Sequence, residues 1–142
     1  RCLLRRPRKL DLGRVVMLGP PNGGSELIDA IGRVPLLRRL AGRTRMQLGT
    51  GADGVPAGLG PVDFELGVIA GTRRLNLPLA LLIPGPNDGI VAVARTRVDG
   101  MSDFLEVPHT HTFMMRSREV IRQTLLFLER GRFDHGTASL SP

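Results

Sequence analysis

Asp88 stands in GPNDGIVAV, residues 85–93, and His111 stands in VPHTHTFMM, residues 107–115. A carboxylate that accepts a hydrogen bond from one imidazole nitrogen fixes the tautomer of the ring. The other nitrogen can then take a proton from a nucleophile and return it to a leaving group. This chemistry needs the acid and the base on loops at one edge of a fold. It also needs a third group, the nucleophile.

Each residue has a plainer reading beside this one. Asn-Asp-Gly is a strong turn signal, so Asp88 also fits a hairpin turn between apolar runs. His109 and His111, two residues apart, also fit as ordinary polar loop residues. A zinc site would need further ligands, and Asp88, Asp103 and Glu106 do not stand at a metal-binding spacing. No metal and no cofactor is expected.

The elements that must position the pair follow from the apolar pattern. RVVML, residues 14–18, is a continuous apolar run without alternation and predicts a strand buried on both faces. The turn GPPNGG follows. Ser25 then fits a helix N-cap with Glu26 in the first turn, and Leu27, Ile28 and Ile31 would face inward. Pro35 suits the start of a second short helix. Residues 49–61 are rich in Gly and Pro and read as a loop. FELGVIAG, residues 64–71, predicts the second strand, and FLEV, residues 104–107, another. Residues 72–89 read as mostly irregular, with a short strand at 79–83 as one option, and IVAVART at 90–96 is ambiguous. A helix is expected from Ser117 to Arg130, with Val120, Ile121, Thr124, Leu125 and Leu128 on one face and Gly131 as its stop.

Strands and helices alternating in this way predict an α/β fold. Three parallel strands make a small sheet, and RVVML calls for more neighbours than these segments provide. The expected organisation is one unit over residues 1–133 with a flexible tail at 134–142.

Composition narrows the function classes. The chain has 142 residues, 42% of them hydrophobic, which suffices for a core. The single cysteine, Cys2, excludes an internal disulfide. No apolar run approaches the ~20 residues of a membrane span, so no transmembrane segment is expected. The net charge is +7, but beyond the first nine residues the arginines are scattered, and the only aromatics are five Phe. That supplies a poor stacking platform, and nucleic acid is not an expected partner. The compartment is open.

The segments GRVVMLGPPNGGSELID, DFELGVIAG, IPGPNDGIVAV and VPHTHTFMM together resemble the C-terminal half of an α/β-hydrolase of the bacterial lipase and esterase type. The resemblance implies a partial α/β-hydrolase fold: the C-terminal strands of a mostly parallel sheet with flanking helices. It implies Asp88 as the catalytic acid and His111 as the catalytic base, in the chain order Ser, Asp, His that this fold uses. It gives His109 no role. It implies a small-molecule or lipid ester as substrate.

The sequence departs from that pattern in one respect. It contains no G-x-S-x-G, and Ser25, in NGGSEL, lacks the second glycine of a nucleophile elbow. The nucleophile and the oxyanion-hole amides are therefore expected in a missing N-terminal half of the fold, upstream of Arg1. A fragment carrying only the acid and base is expected to be inactive alone. The alternatives are an inactive interaction domain that kept the half-sheet, and a basic binding module for anionic partners.

Overall fold

A computed structural model describes residues 12–25, 60–74 and 81–136. Three strands form one parallel sheet in the order β1-β2-β3: β1 (Val15–Leu18), β2 (Leu66–Gly71) and β3 (Asp103–Val107). Among the described residues three helices follow β2: α1 (Val93–Thr96), α2 (His111–Met114) and α3 (Arg118–Arg130). The three expected strands and the last helix are all present. The expected helices after Ser25 and Pro35, residues 1–11, most of the loop at 49–61, and residues 137–142 lie outside the described residues. The fold is a partial α/β fold.

β2 is the centre of the sheet. Every one of its residues is buried, which suits a strand without a polar side chain and with a partner on each edge. β1 is only half-buried, although its sequence predicts burial on both faces. Among the described residues it has one neighbour, β2, and its other edge carries no strand.

α3 forms for the expected local reasons. Ser117 is its N-cap and accepts from the Val120 N–H at 3.4 Å. Gly131 ends it in the left-handed conformation, φ 74°, and donates its N–H to Phe127 O. Arg14, at the foot of β1, donates Nη1 to the carbonyls of Leu128 and Glu129. A cation thus meets the negative end of the helix.

The buried face of α3 differs from the expected one. Val120, Gln123 and Phe127 point inward, while Ile121, Leu125 and Leu128 are exposed. Two apolar stripes overlap on this helix, and packing decides between them. Gly67 on β2 leaves a slot where a Cβ would come within 2.7 Å of both Phe127 and Phe133. The two rings fill it with centroids 4.9 Å apart. Gln123 is tolerated inside because its amide is satisfied at both ends. It donates to Asp134 O at 2.7 Å and accepts from Asp134 N at 2.9 Å. Ile69, Val107, Met114 and Val120 complete the core with these rings.

The ambiguous 90–96 stretch resolves into a turn and the short helix α1, with an isolated antiparallel bridge between Asn87 and Ala92. Leu81 and Leu82 lie in an exposed helical turn instead of a strand; residues 79–80 lie outside the described residues.

Candidate functional site

All three parallel strands end at the same edge, at Leu18, Gly71 and Val107. In an open α/β sheet this carboxyl edge is where loops gather chemistry. Gly19 follows β1, Asp88 lies on the loop between β2 and α1, and His111 follows β3 as the first residue of α2. The structure brings these three together.

Asp88 is 2% exposed, and its two oxygens do different jobs. Oδ1 accepts from the N–H groups of Ile90, at 3.0 Å, and Val91, at 2.8 Å. This Asx-type turn is the local structure that Asn-Asp-Gly predicts. Oδ2 lies 2.7 Å from His111 Nδ1. An ionised carboxylate only accepts, so Nδ1 carries the hydrogen and donates. A main-chain bond from His111 N to Asp88 O, at 3.0 Å, ties the same two residues a second time. The turn reading and the acid reading of Asp88 are therefore compatible: one oxygen builds the turn, and the other faces the imidazole.

Two glycines make room for the pair. A Cβ on Gly19, which has φ 53°, would sit 2.9 Å from both Asp88 Oδ2 and His111 Nδ1. A Cβ on Gly71 would strike His109 O and come within 2.8 Å of the Asp88 Cβ and Met114 Cε. Neither close approach is readable from the sequence, because each partner lies far along the chain.

With Nδ1 engaged, neutral His111 presents a lone pair on Nε2. Among the described residues Nε2 has no hydrogen-bond partner. The His111 side chain is 30% exposed, against 1% for that of Asp88. The pair is thus sealed at the acid and open at the base. Its arrangement can draw a proton from an incoming hydroxyl and hold it as imidazolium beside a carboxylate.

The hydrogen bond that His111 donates to Asp88 raises the His111 pKa above its ordinary value, burial opposes this, and the negative charge of Asp88 adds to the rise. The sign for stability follows. A raised folded pKa means that protonated His111 stabilises the fold. This contribution is complete below the ordinary value near 6.5 and is lost as pH rises through the folded pKa. In Asp88→Asn, a histidine NMR titration should show the His111 pKa falling. The stability gap between the native protein and this variant should shrink as pH rises across the same window. A His111 titration untouched by Asp88→Asn would contradict the pairing.

His109 does something else. Its Nε2 lies 2.9 Å from Ser117 Oγ and 3.3 Å from Glu119 Oε2. A relay needs the hydroxyl and the carboxylate on different ring nitrogens. Here both share one, so this cluster braces the start of α3. Ser102 Oγ accepts from Leu66 N, and Ser25 Oγ donates to Ile90 O. Neither bond involves His111. The described residues contain no group of three or more His, Cys, Asp or Glu placed to hold a metal. No helix among them is long and apolar enough to cross a membrane.

The fold has known counterparts. Bacillus licheniformis lipase BlEst2 in its propeptide form superposes with a TM-score of 0.63 at 21% identity, over 92% of this chain and 33% of that one. The mature form of the same lipase gives a TM-score of 0.60 at 17% identity, over 82% of this chain and 55% of that one. At these identities the likeness is one of fold. The chain spans about a third of the propeptide form and just over half of the mature form. No protein-family model matches the sequence, and no curated protein does.

Proposed function

We propose that Asp88 and His111 are the acid and base of a serine-dependent carboxylic ester hydrolase, and that the serine lies on polypeptide preceding Arg1. The observation that carries this reading is the 2.7 Å bond from a His111 side chain that is 30% exposed to a buried carboxylate. The lipase-like fold supports it, as does the position of the pair at the carboxyl edge of the sheet. Phe113 and Met115, on and just after α2, are exposed, and apolar surface on the segment that carries the base suits an ester with an apolar acyl group.

In the proposed reaction the serine hydroxyl gives its proton to His111 Nε2 as its oxygen attacks the ester carbonyl. Asp88 holds the imidazolium that forms. His111 then returns the proton to the departing alcohol. Water, activated by the same nitrogen, releases the acid from the acyl-serine. The oxyanion-hole amides come from the residue after the serine and from an early strand–helix loop.

The test is to read and express the open reading frame that includes the codons before Arg1. A strand ending in G-x-S-x-G is expected within ~5–20 residues upstream, since one helix and a short connection separate the elbow from the next strand. A fluorophosphonate probe should label that serine in the full-length protein. The 142-residue chain alone should be neither labelled nor active on p-nitrophenyl esters. About a hundred or more upstream codons without an elbow, or labelling of Ser25, would overturn the proposal. The first result would favour an inactive homologue that serves as an interaction domain.

A further inference from the structure

We propose that Ser25 is a positioning residue for the acid–base pair, acting through the single peptide group between Ile90 and Val91. This rests on the acid–base reading of Asp88 and His111. Ser25 is 1% exposed and stands where the loop after β1 leaves the sheet edge. Its Oγ donates to Ile90 O at 2.8 Å. That carbonyl belongs to the same peptide group as the Val91 N–H, which donates to Asp88 Oδ1 at 2.8 Å. Asp88 Oδ2 in turn accepts from His111 Nδ1. A continuous chain of hydrogen bonds thus runs from a buried hydroxyl, through one amide and one carboxylate, to the imidazole.

The peptide is a rigid plane, so fixing its oxygen fixes the direction of its N–H. Two further bonds clamp the same loops together: Asn22 Nδ2 to Thr96 O at 2.8 Å, and Gly23 N to Arg95 O at 2.7 Å. Ser25 is the only one of the three that reaches the peptide holding Asp88. Without its hydroxyl, the Ile90 carbonyl loses a partner in a part-buried site. The flanking bonds from Ile90 N to Asp88 Oδ1 and from Asp88 N to Val91 O remain, but the peptide between them loses the bond that sets its tilt, and its N–H can turn from the carboxylate.

The experiment compares the full-length protein with Ser25→Ala and Ser25→Cys. The cysteine fills a similar space with a weak donor, and it keeps the test readable if the alanine variant does not fold. Ser102→Ala serves as control, because Ser102 Oγ accepts from Leu66 N and takes no part in the chain of bonds. Histidine-selective NMR should show the His111 pKa moving down toward its ordinary value in both Ser25 variants and staying put in Ser102→Ala. Ester turnover should fall on the order of 10-fold in kcat, with KM near native, as expected for a small misplacement of catalytic groups. Native His111 titration and native kcat in a folded Ser25 variant would overturn the proposal. The titration needs no turnover, so a His111 shift in a protein that hydrolyses nothing would keep the positioning role and sink the hydrolase reading.

Discussion

Replacing His111 with alanine in the full-length protein should lower ester turnover by ~10³-fold or more, and Asp88→Asn should come close to it. The two losses should resemble each other because the groups act as one unit. Without the imidazole no base faces the serine. In Asp88→Asn the ring loses both its charge partner and the acceptor that selects its tautomer. An amide can present either its oxygen or its NH2 to Nδ1. Oδ1 of Asp88 also holds the turn through Ile90 and Val91, and the amide oxygen of asparagine can keep those bonds. The fold should therefore survive Asp88→Asn better than Asp88→Ala, and the activity loss should exceed the stability loss. His109→Ala should be far milder for turnover, since His109 contacts Ser117 and Glu119 at the start of α3. Steady-state kinetics on a p-nitrophenyl ester, with thermal unfolding of each variant, measure both effects. Equal losses at His109 and His111, together with inhibition by a chelator, would point to a metal site instead.

The strands were legible because each has an apolar core, VVML, LGVIAG or FLEV, ending at or next to a Gly or Pro. α3 was legible at both ends because Ser117 and Gly131 act locally. Its inward face was not, because two stripes overlap on the helix. The choice between them was made by the slot at Gly67, on a strand more than fifty residues away in sequence. The shortage of neighbours at β1 was legible too: RVVML is apolar enough to want a strand on each edge, and among the described residues it has β2 alone. Asp88 and His111 could be paired only through the order of loops after strands and through resemblance. Their contact spans 23 residues and passes through no local rule. Ser25 shows the limit most clearly. Its sequence context reads as a helix cap, and residues 26–30 lie outside the described region. The bond it does make reaches a carbonyl 65 residues away.

Gly71→Ala should damage the site without replacing either member of the pair. Gly71 ends β2, the fully buried central strand, and pairs with Val107 at the end of β3. A methyl group there would collide with the carbonyl oxygen of His109, and the Asp88 Cβ and Met114 Cε would each be 2.8 Å away. The first obstacle is backbone, so a rotamer change cannot relieve it. That carbonyl also accepts from Arg73 N, and His109 leads directly through Thr110 into His111. Relief therefore requires the segment that carries the base to move away from the loop that carries the acid. Overpacking of this kind costs about 1–3 kcal/mol, and a displacement near ~1 Å between catalytic groups can cost ~10²-fold in rate. Gly71→Ala should lower both the unfolding temperature and turnover, and should weaken the His111 response to Asp88 in a histidine titration. Gly13→Ala is the matching control, since a Cβ at Gly13 meets nothing within 4 Å. Native stability and native turnover in Gly71→Ala would show that the edge of the sheet yields without disturbing the pair, and that the close approach of β2 to the His109 carbonyl does not fix the geometry of the site.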